Sequence, residues 1–201
     1  QSSIAGAKKF CPQHLYMEKC CMDFKEKREK MFRIGSYVMY GKRGVCKVED
    51  IGKFFEESMQ DSREYYKLSP IFIKGDQVYI PVENHMFMRE LISSDTAKKY
   101  LEEVPKIPAD TFTTRQQTRL ADHYREMMDT YDMNVLLSLI KGIYMKQYQA
   151  GRNNKKLCQI DQRYLKSAED IAYGEFAIAL ESTPEKIKAF VKDKVFCQIQ
   201  A

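Results

Sequence analysis

Tryptophan is absent from the 201 residues, histidine occurs three times, and no apolar run approaches the roughly 20 residues that a bilayer-crossing helix needs. The last absence excludes a helical membrane protein, and no membrane partner is expected. The first residues also lack the basic start, apolar middle and small-residue cleavage site of a secretory signal, so the cytoplasm is the expected location. His14, His85 and His123 fall in three unrelated segments, which leaves histidine-based acid–base chemistry without a convergent partner. Glycine is sparse, and Gly35, Gly41, Gly44 and Gly52 sit between strand-like runs rather than before a helix, so no phosphate-cradling loop is built from them. The neighbouring acids Glu56-Glu57 and Glu102-Glu103 diverge in either a strand or a helix and cannot work on one substrate. These absences together predict no enzyme, no catalytic residue, no small-molecule substrate and no cofactor.

Six cysteines are present. Cys46, Cys158 and Cys197 lie within apolar patterns, where a reduced thiol behaves as a small hydrophobe. Cys11, His14, Cys20 and Cys21 are metal-binding residue types, but the adjacent Cys20 and Cys21 do not match the short paired spacings of structural zinc sites, and no metal is expected.

The formal charge of +5 is unevenly spread. Residues 115–166 carry ten basic and five acidic side chains, a concentration of positive potential suited to a polyanion and equally open to the reading of a solvated helix face. Residues 1–30 have no sustained period and end in the charged run Lys25-Glu26-Lys27-Arg28-Glu29-Lys30, so little folded structure is expected there. All three residue types of that run can be written with purine-only codons. The run can therefore be a translated ribosome-binding site, with Met31 the native start and residues 1–30 not native.

From Phe32 onward β-favouring runs alternate with glycine turns. Tyr37–Tyr40, Val45–Ile51, Tyr65–Ile73, Gln77–Val82 and Met86–Leu91 predict five short strands, with turns at 41–44 and 74–76. Five closely spaced strands suit a small SH3-like or Tudor-like barrel over residues 31–92. Ser93 or Ser94 then caps a short helix that Pro105 and Pro108 close, making 93–110 a helix and linker. Beyond it the period turns helical. Leu120, Tyr124, Met127 and Met128 mark one helix, and Val135 to Tyr144 mark a second. A loop at Gly151-Arg152-Asn153-Asn154 precedes an apolar stripe from Leu157 to Leu180, and Thr183 with Pro184 starts a last helix to about Val195. The fold class is α+β, with a five-stranded barrel followed by an all-α bundle over 111–201.

Two binding surfaces follow. A small barrel leaves edge strands that can add a strand from a partner, and Val78, Tyr79 and Ile80 with Phe54 and Phe55 form such an edge with aromatic anchors. Those aromatics are equally readable as core. In the helical half Arg115, Arg119, Arg152, Lys155 and Lys156 are the preferred phosphate contacts, whereas Arg125 and Arg163 serve to solvate their helices.

The stretch Met31-Phe32-Arg33-Ile34-Gly35-Ser36-Tyr37-Val38-Met39-Tyr40-Gly41-Lys42-Arg43-Gly44-Val45-Cys46-Lys47-Val48-Glu49-Asp50-Ile51 closely resembles the opening of CarD-family proteins. Tyr65-Tyr66-Lys67-Leu68 and Val78-Tyr79-Ile80-Pro81-Val82-Glu83-Asn84, ending at Met88-Arg89, continue the likeness. Leu157-Cys158-Gln159-Ile160-Asp161, Leu165, Ala168-Glu169 and Tyr173-Gly174-Glu175-Phe176-Ala177-Ile178-Ala179-Leu180 look like the family's signature in its last long helix.

The resemblance covers most of residues 31–180. It implies a bacterial transcription regulator whose N-terminal barrel, shared with transcription-repair coupling factor, binds the RNA polymerase β subunit. It also implies a helical domain that contacts promoter DNA. Those contacts are expected mainly with the DNA backbone, and a monomer held near the nucleoid through polymerase is the default expectation. Many relatives wedge a tryptophan against the minor groove at the start of the helical domain. Here the corresponding region is Phe112-Thr113-Thr114-Arg115, so Phe112 replaces the wedge or the wedge is absent. Tyr131-Asp132 stands where relatives often have Gly-Asp. A protein-only adaptor, with the helices on a second protein, is the rival reading.

Overall fold

A computed structural model describes residues 32–54, 63–73, 75–83 and 88–200. The strand-favouring runs become β1 (Tyr37–Tyr40), β2 (Gly44–Gly52), β3 (Tyr65–Pro70), β4 (Val78–Pro81) and β5 (Met88–Glu90), with a single 3-10 turn, Gly41–Arg43, between the first two. They pair antiparallel in the order β4-β3-β2-β1-β5. Among the described residues β4 and β5 do not pair with each other, so the expected barrel is here an open sheet with β4 and β5 as its outer strands. The third strand ends at Pro70, earlier than its apolar pattern suggested, because proline removes a ladder donor. Met86 and Phe87 of the expected last strand lie outside the described residues, as do residues 1–30 with their charged run, Cys11, His14, Cys20 and Cys21.

Register decides the two faces. Val38, Cys46 and Pro70 line up across β1, β2 and β3, as do Val48 with Leu68 and Tyr66 with Ile80. On this face Val38, Cys46, Val48, Tyr66, Leu68 and Ile80 are buried and make the sheet's own core. The opposite face carries Met39, Val45 and Arg89 in one row, and Met39 and Val45 join the core of the helices. A register shift between Val48 and Asp50 leaves Glu49 as an extra residue that bends β2.

Five helices follow: α1 (Ser94–Glu103), α2 (Gln117–Asp129), α3 (Met133–Arg152), α4 (Gln159–Ala179) and α5 (Pro184–Gln200). Ser93 caps α1 by accepting from the Thr96 N–H, as its sequence position predicts. Asp132 caps α3 through the N–H groups of Asn134 and Val135. Cys158 caps α4, its sulfur accepting from the Asp161 N–H at 3.4 Å while its thiol reaches Asp161 Oδ2 at 3.0 Å. This corrects the reading of Cys158 as a small core hydrophobe, and Cys197 is likewise exposed, whereas Cys46 is buried as expected. Helix α3 runs through Gly151 and Arg152, which the sequence placed in a loop, and α5 continues past Val195. No described helix is long and apolar enough to cross a membrane.

Residues Arg33–Ala201 form one unit in which the sheet sits on α4. Gly44, at φ +74°, brings β2 close to the α4 backbone: a Cβ built there would lie 3.9 Å from the Asp170 carbonyl oxygen and the Ile171 Cα. Ion pairing adds to this contact. Arg89 of β5 forms a two-pronged salt bridge with Glu175 of α4, which has no exposed surface. The Ile92 N–H also donates to Glu175, at 3.1 Å.

Candidate functional site

The outer strand β4 projects Val78 and Ile80 to one face and Tyr79 to the other, as strand alternation requires. Ile80 is 3% exposed and belongs to the sheet core, while Val78 is half-buried. Tyr79 is exposed at 38%, and its ring meets that of Phe54 at 5.3 Å between centroids. The Tyr79 hydroxyl donates to Gln77 at 3.3 Å. Of the five residues predicted for this surface, the half-buried Phe54 and the exposed Tyr79 are thus brought together, Ile80 anchors the strand from within, and Phe55 lies outside the described residues. On its far side β4 has no strand partner among the described residues, the place in a sheet where a partner's strand can be added. Arg43 pairs with Asp76, tying the 3-10 turn to the segment that leads into β4.

In the helical half the predicted cations separate into two locations along the chain. Arg115 and Arg119 are exposed at the entry to α2 and in its first turn. Arg152 is exposed in the last turn of α3, and Lys155 and Lys156 are exposed in the α3–α4 loop. Lys155 and Lys156 line a groove that also includes Lys166 of α4 and Lys188 of α5. Arg125 is paired with Asp122 and Arg163 lies over the Tyr164 ring, so both act locally.

Phe112 is 36% exposed and is held from several sides. Its ring stacks on His123 at 4.2 Å, its N–H donates to Asp110 Oδ1, and its carbonyl accepts from Lys146 at 2.6 Å. His123, which had no obvious partner in sequence, also meets Asp110 Oδ2 at 3.1 Å. Beneath this loop Tyr124 donates to Asp161, and burial pushes its hydroxyl well above the usual tyrosine range.

Sequence reasoning missed the groups that position these surfaces. The ammonium of Lys141 donates to the carbonyls of Val104, Pro105 and Ile107, so a lysine on α3 holds the C-cap of α1 and the linker that follows it. Gly142 permits the linker to lie against α3, because a Cβ there would sit 2.2 Å from the Asp110 carbonyl oxygen. The linker around Pro105 to Ala109 is therefore pinned by α3. A basic residue inside an apolar helical stripe was the available signal for Lys141, and an acid inside Tyr173–Leu180 was the signal for Glu175.

Comparison with curated proteins returns no match. A family model described as CarD-like/TRCF RID domain matches residues 32–92, the span that begins just before β1 and ends just after β5. The match contains β4, the Phe54–Tyr79 pair and Arg89. Residues 32–92 of the chain are thus similar to a CarD-like domain of the kind that interacts with RNA polymerase, which points to a role connected with transcription.

Proposed function

We propose that the chain is a non-enzymatic regulator of transcription initiation that binds the RNA polymerase β subunit through residues 31–92 and promoter DNA through the helices of 111–201. The observation that carries this reading is the polymerase-interacting domain match over 32–92, on a sheet whose outer strand β4 displays Tyr79 beside Phe54. In this reading the sheet is an SH3-like or Tudor-like barrel, and a strand of the β subunit adds to β4. Phe112, Arg115, Arg119, Arg152, Lys155 and Lys156 supply the DNA contacts, mostly to phosphates, so affinity depends more on salt than on base sequence. Such a regulator works by binding one promoter state more tightly than another. It acts as a monomer without a cofactor, in the cytoplasm.

Retention of the full chain on immobilised β subunit tests the first contact. Tyr79→Ala is expected to weaken retention roughly tenfold, as loss of an aromatic anchor does. A wild-type chain that fails to bind the β subunit ends the proposal. The rival reading, a protein-only adaptor, draws on the stacking of Phe112 against His123, which engages one face of the exposed ring with the protein's own surface. Absence of duplex binding even at low salt would select that rival.

A further inference from the structure

The groove between the α3–α4 loop, α4 and α5 gathers four lysines from three separate stretches of the chain: Lys155 with Lys156, Lys166, and Lys188. Leu157 and Leu165 supply an apolar part of its lining, and Gln147 and Gln162 supply amides. Two acids also line it, and they are in different states of use. Glu169 is buried and already engaged: it accepts from the Tyr144 hydroxyl and pairs with Lys188. That pair draws the Lys188 ammonium from α5 over to α4. Asp170 is exposed and its carboxyl is pushed up by burial, while Lys166 and Lys188 act on it in the opposite sense. Lys166 of α4 and Lys188 of α5 therefore share with Lys155, Lys156 and the two acids a concave surface that lysines outnumber.

Charges of one sign are costly to gather unless an anion neutralises them, and two carboxylates do not balance four lysines. Ammonium groups on flexible stems suit a target that presents several oxygens without fixed geometry, which is the chemistry of phosphate. We infer that this groove is a phosphate-binding site in which Lys166 and Lys188 act with Lys155 and Lys156. The site takes a phosphate-bearing anion, either the backbone of a nucleic acid or the phosphates of a free nucleotide. The inference deepens the DNA reading by adding two contacts from α4 and α5, and it stands apart from that reading because a free nucleotide satisfies it equally.

Fluorescence anisotropy of the full chain with a short labelled duplex, and a parallel titration with ATP, separates the two sources. Lys166→Ala is expected to weaken the bound anion about three- to tenfold and, for a duplex, to lower the salt slope by about 0.9. Asp170→Asn is expected to tighten binding about two- to fivefold, because it removes a like charge from the groove. Lys188→Arg keeps both the charge and the Glu169 pair and is expected to bind as wild type does, whereas Lys188→Ala weakens it. Lys98→Ala on α1 serves as a control with no change expected. ATP binding with these responses and no duplex binding upholds the groove and removes the DNA reading. Duplex binding indifferent to Lys166→Ala and Asp170→Asn, with no ATP binding, overturns the groove and leaves the DNA reading in place. Failure of both ligands at low salt overturns both.

Discussion

Glu175 shows how one side chain can join two parts of a chain that sequence separates by 86 positions. It is fully buried, yet it is satisfied by both guanidinium prongs of Arg89 and by the Ile92 N–H. Removing only the cation strands the acid in a dry site, so Arg89→Ala is expected to destabilise the fold by about 3 kcal/mol in urea denaturation. The double variant Arg89→Met with Glu175→Met should recover much of that loss; an additive loss instead would show that the pair is not the source. Cys46 offers a second test at this scale. Burial pushes its thiol up to about 11, whereas the unfolded thiol titrates near 9. The unfolded state therefore loses its proton first as pH rises, and the contribution of Cys46, fully present below 9, is lost between 9 and 11. Wild-type protein is expected to lose stability relative to Cys46→Val between pH 8 and pH 10.5, and parallel curves would contradict the burial of this thiol.

Helix α3 is the element on which the linker depends. Lys141 donates to the carbonyl of the α1 C-cap, Val104, and to those of Pro105 and Ile107 in the linker, and burial lowers its affinity for a proton. Lys141→Met keeps the stem but abandons those acceptors, at an expected cost of about 2 kcal/mol. Loss of amide protection at Asp110, whose N–H donates to the Ser138 carbonyl, should accompany it. One turn position on the same helix reverses the usual rule for glycine. Alanine in place of a helical glycine ordinarily stabilises by about 1 kcal/mol. At Gly142 the added methyl would meet the Asp110 backbone, so Gly142→Ala is expected to destabilise by about 1–3 kcal/mol. A stabilised variant would show that the linker does not lie where α3 places it.

For the whole molecule the consequence is that sheet and helices share packing as well as a backbone. Met39 and Val45 of the sheet belong to the same buried cluster as Leu139, Ile140, Ile143 and Phe176 of the helices. Lys42 adds an exposed pair with Asp129 at the end of α2. Chemical unfolding of the described unit is therefore expected as a single transition, with the near-ultraviolet tyrosine signal and the far-ultraviolet helix signal coinciding. Two separated midpoints would mean that the sheet unfolds on its own core of Val38, Val48 and Leu68. Under the proposed function such a joined body holds β4 and the cationic helices at a set separation, so polymerase binding raises the local concentration of the helices near promoter DNA.

Local composition was enough to place the five strands and the helical half, because alternation and helical spacing are short-range patterns set by which faces must leave water. It also marked Ser93 or Ser94 as a cap, the bulk of the cationic residues, and Tyr79 as a candidate anchor. Tertiary packing alone decided that Tyr79 stands outside while Ile80 is core, since a strand's two faces become different only when something covers one of them. It likewise decided that Arg152 ends a helix, that Lys166 and Lys188 meet Lys155 and Lys156 in one groove, and that Arg89 finds Glu175. Each of these depends on residues far apart in the chain being brought within reach, and no periodicity along a sequence encodes a distance between two of its elements.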